Sequence, residues 1–119
     1  MNVFVWILQI VLAVAFLAAG AMKLSRPRTA LAASGMGYVE DFSDGAIKTI
    51  GALEVLAAIG LVLPWATGIA PVLTPLAALG LALIMIGAAV VHARRKENQM
   101  IGINVVLLIL AALVAFYRF

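Results

Sequence analysis

Lys23, Glu54, His92 and Asn104 bring an amine, a carboxylate, an imidazole and an amide to a chain that is otherwise almost entirely apolar. Glu54 is the most telling of them. It is flanked by Leu53, Val55, Leu56 and Ala57 and is the sole carboxylate of the run 46–63. A charge in hydrocarbon is expensive, and ionisable residues there face the bundle interior, a partner or a water-filled cavity. A carboxylate near a histidine can exchange a proton close to neutral pH. A carboxylate near a lysine is pulled toward the charged form by the cation and toward the neutral form by burial, so its protonation state is open at this level.

These residues converge only if the chain is helical. At helical spacing, Gln9, Leu12, Ala13, Phe16, Gly20 and Lys23 share one face, and Gly51, Glu54, Ala58 and Leu61 share another. Leu81, Met85, Ala88, Ala89 and His92 line up on a third helix, and Asn104, Leu108, Ala111 and Ala115 on a fourth. Small residues accompany every polar one, and small residues mark close helix contacts in membranes. Gly20, Gly51, Ala58, Gly60 and Ala88 are therefore expected at helix-packing positions. Glu54 lies about 11 Å inside its span at 1.5 Å per residue. Lys23 and His92 close their spans at the same side, and Asn104 is about one turn in. Gln9 is expected to stand alone in the opposite half.

Composition supports a membrane setting. The 119 residues are 66% hydrophobic and 11% charged, far from the usage of a soluble domain. Runs 3–22, 46–63, 71–91 and 101–117 each approach the ~20 residues needed to cross ~30 Å of hydrocarbon. The expected fold is all-α, a single domain of four transmembrane helices with a connector between the first two. A signal peptide is the competing reading of the first run, but no basic region precedes it and it exceeds an ordinary signal core. Without cysteine, thiol catalysis, disulfides and cysteine-ligated metals are excluded. One histidine and one glutamate in the spans are too few for a metal site.

Charge placement sets an expected orientation. Lys23, Arg26, Arg28 and Lys48 flank the first connection and Arg94, Arg95 and Lys96 the third, whereas 64–70 carries no charge. Basic residues favour the cytoplasmic side, which puts both termini outside and Trp6, Trp65 and Tyr117 near the outer interface. The net charge of +3 thus reports topology, not nucleic-acid binding. In the connector 26–44, Pro27 is expected to open a short helix that Gly35 and Gly37 end, with Ser43 or Asp44 capping the second span. Leu31, Met36, Tyr38 and Phe42 suit a segment lying on the membrane, with a substrate lid as the other reading.

Plainer roles stand beside each candidate. Lys23 can snorkel to phospholipid instead of reaching Glu54, and His92 can be a simple interfacial residue. Asn104 can bond a neighbouring backbone, and Glu54 can belong to a structural ion pair. Gly35-Met36-Gly37 lacks the strand and third glycine of a dinucleotide loop. Glu40, Asp41 and Asp44 do not have calcium-loop spacing.

The stretches Ala18-Ala19-Gly20-Ala21-Met22-Lys23-Leu24, 50–64 with its Gly-x-x-Glu…Gly-Leu-x-x-Pro pattern, and Gly87-Ala88-Ala89-Val90-Val91-His92-Ala93-Arg94 resemble the DoxX-like group of small bacterial membrane proteins. That resemblance covers nearly the whole chain. It implies a four-helix bundle of the inner membrane and picks out Gly20, Lys23, Gly51, Glu54, Gly60, Pro64 and His92. Name-giving relatives include a small subunit of an archaeal thiosulfate:quinone oxidoreductase, and some relatives associate with redox proteins. The resemblance thus implies an accessory or quinone- or lipid-interacting subunit, with a redox-protein partner or a second copy as the companion and quinone as the candidate cofactor. Without cysteine, a redox role would use a bound quinone or a partner protein. Two other functions are weighed against it: a small proton-coupled transporter using Glu54, and a structural lipid-binding bundle without turnover. Small multidrug exporters have similar length and span number but carry their essential glutamate in the first span, where this chain has Gln9 and Lys23.

Overall fold

In the computed structural model, which describes residues 2–27, 30, 42–96 and 98–119, the apolar runs form four long helices. We label them α1 (Asn2–Ser25), α2 (Asp44–Thr67), α3 (Leu73–Arg94) and α4 (Asn98–Arg118). Their 21 to 24 residues correspond to about 32–36 Å at 1.5 Å per residue, enough to cross the hydrocarbon core. All four are apolar enough to do so. Sequential neighbours pack along their lengths and a slighter α1–α4 contact closes the ring, giving an up-and-down bundle.

The bundle is apolar outside as well as inside. Val14 and Leu56 are each 64% exposed, with Val3, Leu83 and Phe116 similarly bare. A soluble protein does not present so much contiguous apolar surface; in a bilayer it meets lipid tails. This is a multi-pass membrane protein. Inside, Leu12, Leu61, Leu81 and Val114 are fully buried around Phe16, Ala58, Ala78 and Ala111. The helix faces expected to point inward do so, with Ala13, Ala88, Ala89 and Leu108 half-buried at their margins.

The second span is longer than its uninterrupted apolar run suggested. It was expected to end at residue 63, ahead of Pro64, yet α2 continues through Pro64 to Thr67. Proline has no N–H to offer the carbonyl four residues back and crowds it, which in lipid leaves an acceptor that no water can satisfy. A neighbouring helix supplies the missing donor: Thr74 Oγ1 donates to the Gly60 carbonyl at 2.8 Å. One residue on, Gln9 Nε2 adds a donor from α1 to the Leu61 carbonyl at 2.6 Å. With the Gly60 acceptor satisfied, the helix proceeds one more turn. It then stops at Gly68, whose φ of 72° places it in the left-handed region and whose N–H bonds the Pro64 carbonyl at 3.1 Å.

At the other end of α2, Ser43 is the N-cap, its Oγ accepting from the Ala46 N–H at 3.1 Å. α3 begins at Leu73 instead of Pro71, which lies in the turn accepting from the Thr74 N–H at 3.0 Å. The short helix expected from Pro27, its glycine stop at Gly35 and Gly37, and Leu31, Met36 and Tyr38 lie outside the described residues.

The Pro64 arrangement makes a testable statement. Thr74→Val strips the donor from the Gly60 carbonyl and should lower unfolding stability in detergent by about 1–2 kcal/mol. In a Pro64→Ala background the new amide reaches that carbonyl, so the same substitution should cost markedly less. Equal costs in the two backgrounds, measured by denaturant titration, would refute the exchange of donors.

Candidate functional site

The site begins with two glycines. Gly20 of α1 and Gly51 of α2 meet with no side chain between them. A Cβ on Gly20 would fall 2.6 Å from the Gly51 carbonyl oxygen and 3.0 Å from the Val55 backbone nitrogen. A Cβ on Gly51 would fall 2.8 Å from Lys23 Cβ. Any larger residue drives the backbones apart.

Lys23 and Glu54 each follow one of these glycines by three residues, on the same face. Because the helices run antiparallel, the stem of Lys23 crosses Gly51 and meets Glu54. Nζ donates to Oε1 at 2.6 Å, with the lysine 5% and the glutamate 2% exposed. Of the two sequence-level roles for Lys23, the structure shows the one that reaches Glu54.

Lys48 steadies this corner. Its Nζ donates to the carbonyls of Lys23, Leu24 and Arg26 at 2.8, 2.9 and 3.0 Å, closing the C-terminus of α1. Sequence reading took Lys48 only as a topology marker. A cation near the N-terminus of its own helix opposes the macrodipole, and that mismatch is the signal that it serves another helix's carbonyl end.

Lys23, Glu54, His92 and Asn104 all line one cavity of about 490 Å³ in the half of the bundle that carries the basic residues. This volume lies within the range of small-molecule sites. Phe16, Ile50, Met85, Met100, Ile103 and Leu107 supply apolar wall, and Phe42 reaches it from the connector. His92 is 3% exposed and Asn104 8%. Asn104 Nδ2 donates to Met85 Sδ at 3.3 Å. Its Oδ1 is buried with no hydrogen-bond partner among the described residues.

The expected packing residues divide in their roles. Gly20, Gly51 and Ala58 are buried, and a Cβ on Gly60 would sit 3.1 Å from Ala77 Cβ, so that glycine serves the α2–α3 contact. Ala88 is half-buried against the core and also lines the cavity, where its small side chain leaves room.

Gln9 does not stand alone, as the sequence had suggested. Its Oε1 accepts from Arg118 Nε at 2.8 Å while its Nε2 serves Leu61. The Arg118 guanidinium lies 4.4 Å from the Trp65 ring centroid and 5.8 Å from that of Trp6, within cation–π range. Arg118 thus ties α4 to α1 and α2 at the aromatic end.

The buried pair has a measurable signature. Lys23→Met leaves the Glu54 carboxylate, and Glu54→Met the Lys23 ammonium, buried without its partner, and either alone should cost about 3–5 kcal/mol. The double variant Lys23→Met/Glu54→Met should lose less than either single variant. Additive losses in detergent unfolding would mean that the two side chains act independently.

A family model with the description DoxX-like family matches residues 7–114. No curated protein and no solved structure matches the chain.

Proposed function

This chain belongs to the DoxX-like family, and we propose that it works as an accessory subunit that holds a quinone or another lipid-derived amphiphile in the cavity of its basic half. The cavity carries this reading: about 490 Å³ of mostly apolar wall with Lys23, Glu54, His92 and Asn104 on its lining. Such a lining accepts a ring or chain along its length and orients a polar head at one place. The Asn104 oxygen, buried without a partner among the described residues, supports an amphiphile whose head donates a hydrogen bond, which the reduced quinol does and the oxidised quinone does not, since a site complete in itself would have paired it. Lys23 and Glu54 would orient the head, and the aromatic and aliphatic walls would exclude water from it. Bound as its quinol, the group would supply electron-donating chemistry, with a redox protein as the companion that takes up its electrons.

Entry from the bilayer suits the packing. α1 and α4 make the slightest of the four neighbouring contacts, and the Gln9–Arg118 bond ties them at the aromatic end. At the other end the cavity is lined by Ala19 of α1 and by Ile103 of α4, which is 49% exposed. A proton-coupled transporter is less well supported, because the carboxylate it would use is already engaged by Lys23 at 2.6 Å.

We assign the basic end to the cytoplasmic side of a bacterial inner membrane, since all lysines and arginines other than Arg118 flank that end. Single cysteines at Ile69 and Arg94 test it in intact cells with an impermeant maleimide. Ile69→Cys should label from outside and Arg94→Cys only after permeabilisation; the reverse pattern inverts the topology.

Gly87 offers the direct test of the cavity. It lines the space, and a Cβ there meets nothing within 4 Å, so Gly87→Leu should fill the site without disturbing the fold. Extraction and mass spectrometry of the purified wild type should yield a quinone or similar amphiphile near one per chain. Gly87→Leu should lose it at unchanged melting temperature. Wild type that carries nothing beyond bulk phospholipid, or Gly87→Leu that retains its amphiphile, would sink the proposal.

A further inference from the structure

Resting on the reading of the cavity as an amphiphile site, we infer that its occupant is selected by a neutral hydroxyl head that donates a hydrogen bond to Asn104 Oδ1. The orientation of this amide is set by its neighbour. A thioether sulfur accepts hydrogen bonds and cannot donate them. The Asn104 group facing Met85 Sδ at 3.3 Å is therefore the NH₂, and the oxygen is the end left over. That oxygen is buried without a partner among the described residues, on a side chain 8% exposed that lines the cavity. Turning the amide over would set its oxygen against the sulfur, two acceptors face to face. The site thus offers an acceptor at Asn104, and the ligand must bring the donor.

The other polar wall narrows the ligand's charge. Lys23 engages Glu54 Oε1, and a carboxylate retains further acceptor capacity after one such bond. A cationic head would compete with Lys23 for Glu54 at an end already crowded by Lys48, Arg94 and Arg95. An anionic head, phosphate included, would set its oxygens against Glu54 and against Asn104 Oδ1 in a space of low dielectric. A neutral hydroxyl on an apolar body meets neither objection. It gives Asn104 its missing partner and brings little desolvation of its own.

The difference can be read with 4-nonylphenol and its methyl ether 4-nonylanisole, which share an apolar body and differ in the donor. Calorimetric titration of the detergent-solubilised wild type should show the phenol binding about tenfold tighter, the effect of one buried acceptor gaining its partner. Dodecyl phosphate should show no saturable binding. Asn104→Leu should bring the two ring compounds to nearly equal affinity. Met85→Leu, close in volume, frees the amide to turn its NH₂ toward the cavity and should also shrink the preference, so the inference does not hang on one variant's folding. Gly87→Leu should bind neither compound. Equal affinity of phenol and ether for the wild type, both abolished in Gly87→Leu, would overturn the donor requirement and leave the amphiphile site standing. Absence of saturable binding of either compound to the wild type would overturn both.

Discussion

The contact of Gly20 with Gly51 is the constraint on which the remaining structure turns. Lipid tails are as apolar as leucine, so helices in a bilayer gain little from hiding aliphatic side chains and must associate by close packing and polar links. Here both come from one crossing. Bare backbone at the two glycines brings α1 and α2 close enough for Lys23 to reach Glu54 at 2.6 Å. The same ion pair makes separation expensive, since either charge alone would face hydrocarbon. Close approach and charge pairing are therefore a single device, and Lys48 locks it by closing the end of the helix that carries Lys23.

The opposite half of the bundle solves a different problem. Pro64 leaves α2 with one carbonyl, that of Gly60, which its own amides cannot satisfy, and the bonds around it draw in every other helix. Thr74 of α3 bonds the Gly60 carbonyl, Gln9 of α1 bonds the Leu61 carbonyl, and Arg118 of α4 bonds Gln9 and stacks near Trp65. A proline that would weaken an isolated helix becomes the node of a four-helix tie. With that half cross-linked by hydrogen bonds, the basic half can remain hollow without the bundle coming apart.

What could be read from the sequence follows from which forces are local. Hydropathy marks the four helices, and the 3.6-residue period marks their inward faces, because each is a property of one segment. Lys23, Glu54, His92 and Asn104 could be brought to one level because span ends fix depth. The end of α2 is not legible in its own segment because the donor that replaces the one missing at Pro64 sits on α3. The Gln9–Arg118 bond is hidden for a similar reason: the two residues lie 109 apart in the chain. The Lys23–Glu54 contact could be named as a pair but not chosen over snorkelling, since that choice rests on interhelical distance. The cavity was not foreseen, because an empty volume is the product of how four faces fail to meet.

The polar groups of the basic half are unequally satisfied, and that inequality is what separates a site from a scaffold. The α1–α2 side is closed, with an amine bonded to a carboxylate and a lysine bonded to three carbonyls. On the α3–α4 side, Asn104 directs its NH₂ to a sulfur, and its oxygen has no partner among the described residues. Had this half been built for stability alone, a leucine at that position would pack the same walls without burying an unpaired acceptor. On the proposed reading, this oxygen takes its partner from a bound amphiphile, and the apolar walls and the slight α1–α4 contact suit entry from the lipid.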